Sequence, residues 1–384
     1  LFCKAKRPLV VLGEGVVLEG QNDKFKMVFS AVPFISDYRT RGSVCDSPNY
    51  FGRSGSLGNH LANYAAYHAD YVIELGSVAS RESSMELRNK FSVITYGSQT
   101  KVLIVSPLDL LDKEPCLAKK DQVQIFVEEF FELLNDKINL DKKEVEVWIS
   151  RLNSASKELK NTYDLTSGPC ISLEDAIVLI KNYSHGVFTT GIGNHWYQAG
   201  KVIEGKNVTN FFTATCWGSI GVGIPYALGI SSALPDSQVI VIEGDGGFYW
   251  SLPSILILGR EDYKKRNIKI FILRDNSYAA IEQDILKKNS MSQAADLNQY
   301  NYVNYKYLCK SLKINYTKAN TKKELISVLK RIKNITTPIL VEITVKGNMV
   351  YELDLNKQYF EFLANSNFNQ LNNNPQTLQS SKIC

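Results

Sequence analysis

Two short acidic motifs in this chain of 384 residues have the composition expected of a site for a metal ion and a phosphate group. The first is Gly-Asp-Gly at 244–246, and the second is Asp-Asn-Ser-Tyr at 275–278. Magnesium takes about six oxygen ligands, usually one or two from carboxylates and the rest from phosphate and water. Asp245, Asp275 and a backbone carbonyl near Ser277 are therefore predicted to hold Mg²⁺ against a diphosphate.

Strands must bring the two carboxylates together. The apolar runs at 239–242 and 268–273 are typical of strands buried on both faces of a parallel sheet. In such sheets ligands bind at the carboxyl ends of the strands. Unit charges ~4 Å apart interact by about 4 kcal/mol at an effective dielectric of ~20, so we expect the metal and the diphosphate to bind together.

Three glycines, Gly244, Gly246 and Gly247, surround Asp245. Without side chains they allow close approach of a phosphate, and the segment after them can present helix N-terminal amides to it. Gly-Asp-Gly alone is more often an ordinary turn. The second motif favours the phosphate site.

Three stretches read together, at 216–225, 244–246 and 275–278, resemble the cofactor-binding domain of thiamine diphosphate enzymes. Acetolactate synthase, pyruvate decarboxylase and indolepyruvate decarboxylase are the members that they resemble most. The resemblance implies that Asp245, Asp275 and the carbonyl of Ser277 bind Mg²⁺. It also places Asn276 and Tyr278 at the cofactor. Asp275 stands where Asn is commoner in the family, so metal dependence is expected to be steeper.

The Gly-rich stretch Trp-Gly-Ser-Ile-Gly at 217–221 resembles the family segment that places an apolar wedge under the cofactor. Ile220 is the wedge by position, with Gly218 and Ser219 beside the cofactor. The alternative is a tightly packed helix start.

The stretch at 189–195 resembles the family's strand end that touches the diphosphate, which assigns Gly191, Gly193, Asn194 and His195 to cofactor binding. His195 can hydrogen-bond phosphate or assist proton transfer, although a lone loop histidine is more often structural. Glu282 lies one position beyond the place of a catalytic glutamate in the decarboxylases, and it is a further catalytic hypothesis.

The first part of the chain, notably at 7–15, 50–58 and 69–77, resembles the family's middle domain, especially that of acetolactate-synthase-like proteins. In acetolactate synthases this domain binds flavin adenine dinucleotide (FAD). The loop at 77–81 matches only loosely, which disfavours FAD and leaves it open. Gly-x-Gly at 13–15 suggests a dehydrogenase, but the Gly-x-Gly-x-x-Gly pattern is missing.

The predicted fold class is α/β, with two three-layer α/β/α domains and mostly parallel sheets. We predict a Rossmann-like middle domain at 1–140, a connector at 141–170, a thiamine diphosphate-binding domain at 171–351 and a polar, partly disordered tail at 352–384. Residues 116–170 are helix-prone, and Pro253 is expected to delay the helix after Gly246. Strands are predicted at 10–12, 71–75, 102–105, 187–190, 239–243, 268–273 and 340–345, and helices at 59–68, 123–134, 145–160 and 321–333.

Family members begin with another domain, whose glutamate hydrogen-bonds the pyrimidine ring of the cofactor. Nothing here resembles that domain, and the chain opens at Leu1. We expect a fragment of a longer chain; the alternative is a separate subunit that supplies the domain. Either way the polypeptide alone is expected to bind cofactor weakly, and the assembly to be a homo-dimer or tetramer.

Composition and charge limit the classes of function and the location that we expect. The net charge of +5 is small for this length, which argues against nucleic-acid binding. Seven cysteines without Cys-x-x-Cys spacing favour a reducing compartment, so a cytoplasmic location is expected. No apolar run approaches the ~20 residues of a membrane span.

The leading functional hypothesis is decarboxylation of a pyruvate-like 2-oxo acid with carboligation, as in acetolactate synthase. The alternatives are a decarboxylase that forms no carbon–carbon bond and an inactive remnant.

Overall fold

The computed structural model describes residues 2–37, 40, 47–55, 58–77, 94, 96–107, 119–134, 138–159, 165–204, 207–214, 218–280 and 303–346. These residues belong to one compact unit, Leu1–Met349. They form two six-stranded sheets in which every neighbouring pair of strands is parallel. Helices flank both sheets, so the predicted fold class is confirmed.

The first sheet has the strand order β3-β2-β1-β4-β5-β6. This is a doubly wound order, in which the chain starts in the middle and builds outward on both sides. Its strands are β1 Pro8–Leu12, β2 Phe34–Ser36, β3 Tyr50–Arg53, β4 Tyr71–Leu75, β5 Lys101–Val105 and β6 Lys119–Val123. Its helices are α1 Glu14–Leu18, α2 Asn22–Phe29, α3 His60–His68, α4 Val127–Leu134 and α5 Lys142–Leu159, after a 3-10 turn at Phe2–Lys4.

Helices cover both faces of the first sheet, whose central strands β1 and β4 are largely apolar. Val10 and Leu12 of β1 pack with phenylalanines of α2 and α4 on one face. On the opposite side, α5 contributes the buried Trp148, whose indole N–H donates to the Pro8 carbonyl (3.2 Å). This bond satisfies the polar end of a large buried ring.

The second sheet has the order β11-β12-β10-β9-β7-β8. Its strands are β7 Gly186–Thr190, β8 Val208–Thr213, β9 Val239–Gly244, β10 Ile268–Arg274, β11 Asn315–Ala319 and β12 Ile339–Thr344. Its helices are α6 Leu173–Tyr183, α7 Asn194–Val202, α8 Gly223–Ala233, α9 Asp245–Trp250, α10 Leu252–Leu258, α11 Tyr305–Leu312 and α12 Lys322–Ile332.

Strand β9 shows why this sheet is buried on both faces. Ile240 and Ile242 join the core that contains α6, α7 and α12. Val239 and Val241 join the core that contains α8, α9, α10 and α11. Alternate side chains of a strand point to opposite faces, so a continuous apolar run fits a sheet between two helical layers.

The two sheets are joined at Arg53, whose side chain is only 1 % exposed. Its guanidinium lies 4.8 Å from the centre of the Phe211 ring and donates to the carbonyl of Ile203. The carboxylate of Glu204 accepts from the Arg53 backbone N–H (3.2 Å) and from Asn59 Nδ2 (3.0 Å). A charge buried in this way needs such partners, which makes this junction specific.

Most predicted strands and helices are observed within a few residues, but two expectations were wrong. Residues 119–123 form edge strand β6, although this stretch was predicted to be helix-prone. Helix α9 begins directly at Asp245, and Pro253 instead lies in the first turn of a second helix, α10. Proline is tolerated there because the first-turn N–H groups have no partner within the helix.

The domain boundaries stay predictions, and the predicted tail lies outside the described residues. Among the helices of the described part, none is long and apolar enough to cross a membrane.

Lys269 on β10 is expected to make the stability of the protein depend on pH. Its side chain is 2 % exposed, donates to Gln238 Oε1 and to the Lys333 carbonyl, and burial lowers its pKa to about 8. The penalty for burying the charge is complete below pH 8 and is relieved as the pH rises to the unfolded pKa of ~10.4.

The Lys269→Met variant should therefore gain more stability over wild type at pH 7 than at pH 10, by up to about 3 kcal/mol. Denaturant unfolding at both pH values measures this difference, with Lys330→Met on the exposed side of α12 as the control. A Lys269→Met difference that does not change with pH would contradict the prediction.

Candidate functional site

The site lies where the second sheet reverses its winding. Strands β7 and β9 are neighbours, with Thr190 opposite Ile242, while β8 lies beyond β7 and β10 lies beyond β9. A crevice opens outside the carboxyl ends of the strands at such a reversal, and this is where α/β sheets bind ligands. The loop at Gly191 leaves β7 there, and Asp245 leaves β9 there.

Asp245 is the first residue of α9 and is only 3 % exposed. Its Oδ1 accepts from the N–H of Gly246 (2.9 Å), and its Oδ2 accepts from the N–H of Asn276 (2.7 Å). The second bond ties the end of β9 to the loop after β10, the next strand in the sheet. The two acidic motifs are thus brought together, as the sequence predicted.

Asp275 interacts electrostatically with Asp245. The pKa of Asp275 is raised to about 6, first because neighbouring protein atoms desolvate its carboxyl group and second because Asp245 is negative. Its Oδ1 accepts from the N–H of Ser277 (3.1 Å), and a positive charge on His195 would act in the opposite direction. A divalent cation between two such carboxylates would relieve their repulsion.

The conformation of Asn276 is stabilised by Arg274, the residue before the Asp-Asn-Ser-Tyr motif. Its φ of 65° lies in the left-handed region, which Asn tolerates better than most residues. Arg274 Nε donates to Asn276 Oδ1 (2.8 Å), and Arg274 Nη1 donates to the buried Glu342 of β12 (2.6 Å). Burial alone would raise the pKa of Glu342, but hydrogen bonds from Tyr316, Arg274 and Lys318 bring it below its usual range.

Glu243 is a residue of this site that the sequence analysis overlooked. It is the residue before Gly244 and is completely buried. Its Oε2 accepts from the N–H groups of Gly191 (3.1 Å) and Gly223 (3.2 Å), and its Oε1 lies 3.2 Å from His195 Nε2. The signal was present in the sequence, since a glutamate that continues the apolar run of a central strand must be buried and needs partners.

The glycines around Glu243 leave the space that its carboxylate occupies. A Cβ atom on Gly191, Gly223 or Gly247 would lie 2.5, 2.7 or 2.2 Å from a Glu243 carboxylate oxygen. A Cβ on Gly246 would lie 2.7 Å from the ring of Tyr278. These glycines allow four segments to meet at one carboxylate and one aromatic ring.

Ile220 lies in the turn between β8 and α8, together with Gly218 and Ser219. Gly218 and Gly221 have φ values of 63° and 74°, which favour glycine. The Gly221 carbonyl accepts from Ser251 Oγ (2.5 Å), which fixes the turn against α9 and α10. Ile220 is 41 % exposed, so the described part of the chain leaves much of this apolar side chain uncovered.

The loop after β7 ends at Gly193, which precedes the first residue of α7, Asn194. Within the described part of the chain, the buried Oδ1 of Asn194 has no hydrogen-bond partner. An unsatisfied buried acceptor is costly, so this atom is suited to a donor on a ligand.

Models of known protein families match two parts of this chain. A family model described as the central domain of thiamine pyrophosphate enzymes matches residues 1–100. A second model, described as the C-terminal TPP binding domain of thiamine pyrophosphate enzymes, matches residues 191–343. The two matches cover different parts of the chain and together span more than half of it. The chain belongs to the thiamine pyrophosphate enzyme family.

Similar proteins of this family are acetolactate synthases. The chain is 25 % identical to the acetolactate synthase large subunit of Lactococcus lactis subsp. lactis (strain IL1403), over 89 % of this chain and 58 % of that protein. It is 24 % identical to the corresponding large subunit of Cyanidium caldarium, over 90 % of this chain and 58 % of that protein. It is 22 % identical to the chloroplastic acetolactate synthase 1 of Zea mays, over 90 % of this chain and 54 % of that protein. The chain thus spans little more than half the length of these relatives.

Thiamine pyrophosphate and the site are chemically compatible. The residues matched by the TPP-binding model, 191–343, include Gly191, Asp245 and Asp275, which follow the carboxyl ends of β7, β9 and β10. No cluster of three or more His, Cys, Asp and Glu side chains that could hold a metal ion occurs in the part of the chain that the structure describes. The predicted magnesium site differs from such a cluster, since it uses two carboxylates and the Ser277 carbonyl and leaves the other positions to phosphate and water.

The residue roles at this site stay predictions. The structure groups most of them around the ends of β7, β9 and β10. Glu282, Cys216 and Trp217 lie outside the described residues.

Proposed function

We propose that this chain binds thiamine diphosphate with Mg²⁺ at the carboxyl ends of β7, β9 and β10. The observation that carries the proposal is the pairing of Asp245 with the loop of Asp275, in which the Asn276 N–H donates to Asp245 Oδ2 (2.7 Å). In a thiamine pyrophosphate enzyme such a pair is suited to Mg²⁺ and a diphosphate.

In this proposal Asp245, Asp275 and the Ser277 carbonyl hold the metal. Glycines 191, 244, 246 and 247 let the backbone approach the diphosphate, and the N-terminus of α7 at Asn194 lies on the same edge of the sheet. Ile220 supplies an apolar surface under the cofactor. Thiamine diphosphate, when bound, supplies the electron sink for breaking a bond next to a carbonyl group, and the protein supplies binding, orientation and exclusion of water.

The proposed reaction is decarboxylation of a pyruvate-like 2-oxo acid with carboligation to a second carbonyl compound. The acetolactate synthases among the similar proteins favour this reaction. The proposal includes the family's pyrimidine-binding domain, either on a longer chain that assembles as a homo-dimer or tetramer or on a separate subunit. FAD is left out of the proposal, because the loop at 77–81 resembles that of the flavin-binding family members only loosely.

Calorimetry of the 384-residue chain with thiamine diphosphate tests the binding proposal. We expect weak binding that requires Mg²⁺ and disappears when the metal is chelated. Binding that is equally strong without Mg²⁺, or no binding at all, would contradict the proposal.

Product analysis tests the reaction. With the pyrimidine-binding part supplied, pyruvate consumption should yield acetolactate. Acetaldehyde without carbon–carbon bond formation would show a simple decarboxylase, and no turnover would show an inactive chain. Either result would overturn the carboligation proposal.

A further inference from the structure

The carboxylate of Glu243 divides its two oxygens between different partners. Oε2 accepts two backbone N–H groups, from the loop after β7 and from the start of α8. Oε1 faces His195 Nε2 at 3.2 Å, within ion-pair distance but off the line of a straight hydrogen bond. Neither of these two atoms has another hydrogen-bond partner among the residues that the structure describes. The interaction between the carboxylate and the imidazole must therefore offset the free-energy cost of burying both groups.

We propose that Glu243 is a positioning residue, whose carboxylate holds the loops of Gly191 and Gly223 together and fixes the His195 ring with Nε2 toward Glu243. This inference rests on the proposed function, because it takes these loops as the surface that receives the diphosphate. Glu243 itself is completely buried, so its proposed role is to position these loops and the His195 ring.

The other edge of the His195 ring lies close to two glycines, Gly193 and Gly244. A Cβ on Gly193 would lie 2.8 Å from Cε1 of the ring, and a Cβ on Gly244 would lie 3.3 Å from Nδ1. Gly193 and Gly244 are the residues that precede α7 and α9. The Nδ1 edge of His195 therefore lies beside two helix starts, while Nε2 lies against Glu243. The ring is placed by contacts on both edges.

The hydrogen-bond chemistry predicts which ring nitrogen carries the proton. A carboxylate has no proton to donate, so the neutral ring is more stable with its proton on Nε2, the nitrogen 3.2 Å from Glu243 Oε1. In Glu243→Gln, the two backbone N–H groups need the amide oxygen at the Oε2 position. The amide NH₂ group then faces Nε2, which must accept, so the proton of a neutral ring moves to Nδ1.

Nitrogen-15 NMR of the histidine-labelled 384-residue chain in alkaline buffer, without cofactor, measures this tautomer. The chain has four histidines, so the His195 signals can be assigned as those lost in His195→Gln. We expect the Nε2–H tautomer in wild type and the Nδ1–H tautomer in Glu243→Gln.

Glu74→Gln is the matched control. Glu74 is also completely buried in a central strand, β4 of the first sheet, where its Oε1 accepts from Tyr96 Oη (2.6 Å). This control should leave the His195 tautomer unchanged. A wild-type His195 with its proton on Nδ1 would overturn the proposal, and this measurement decides it even if Glu243→Gln does not fold.

Calorimetry with thiamine diphosphate and Mg²⁺ supplies the second measurement. Residues that orient a binding group typically change affinity by about 10- to 100-fold, so Glu243→Gln should weaken binding by about tenfold and Glu74→Gln should not. A tautomer change without any loss of affinity would overturn the positioning role. If wild type itself shows no binding, the proposed function fails, while the tautomer still decides whether Glu243 orients His195.

Discussion

Replacing Asp245 by asparagine is expected to weaken Mg²⁺-dependent thiamine diphosphate binding by about a hundredfold or more. The variant removes one of two carboxylates predicted to hold the metal. Asp245 accepts hydrogen bonds from the backbone N–H groups of Gly246 and Asn276. In the variant, the amide NH₂ group would face one of these two donors. Breaking a buried charge pair typically costs about 3 kcal/mol or more, which corresponds to at least ~100-fold in affinity.

The measurement is calorimetric titration with thiamine diphosphate at fixed Mg²⁺. Asp236→Asn, in the exposed loop before β9, is the matched control and should bind as wild type does. Unchanged affinity in Asp245→Asn would show that Asp245 is not a metal ligand.

The same pair of carboxylates gives this binding a pH dependence. Asp275 takes up a proton as the pH falls through its pKa of about 6, so Mg²⁺ affinity should fall over that range. In Asp245→Asn the pKa of Asp275 should move back toward its ordinary value, because the second cause of the shift is removed.

Replacing Gly13 by alanine is expected to cause a large loss of stability in the first domain. The N–H of Gly13 donates to the Leu75 carbonyl (2.8 Å), and a Cβ on Gly13 would lie 2.2 Å from the backbone N of Ser77. The obstructing atoms are backbone atoms at the end of the central strand β4, so they cannot move aside as the tip of a side chain can. Overpacking of this kind costs about 3 kcal/mol, or more where the backbone must shift.

Gly229→Ala in α8 is the matched control, since no neighbouring atom of the described residues lies within 4 Å of the added Cβ. It should raise stability by about 0.5–1 kcal/mol, because alanine favours a helix interior. Thermal unfolding of both variants measures the contrast. A Gly13→Ala protein that melts at the wild-type temperature would contradict the prediction.

Local patterns explain why much of this fold was predictable. A strand such as 239–244 is visible because a run of β-branched residues needs only its own sequence to be recognised. The position of Asp245 follows directly, since the residue after such a strand lies at the edge of the sheet where ligands bind. Strands β2, β3, β6, β8 and β11 were not predicted. For β6 and β11 the reason is that their sequences, KKDQV and NYTKA, are polar and pair as the edges of their sheets.

The sequence by itself determined the α/β class, the family resemblance and the meeting of Asp245 with the Asp275 loop, because these depend on short patterns and on the direction of parallel strands. Only the tertiary structure decided what surrounds Glu243 and what holds Asn276. Glu243 meets Gly191 and Gly223 from 52 and 20 residues away, and Arg274 meets Glu342 from 68 residues away. Buried polar groups find their partners across the packed interior, and no local pattern records which distant segment supplies them.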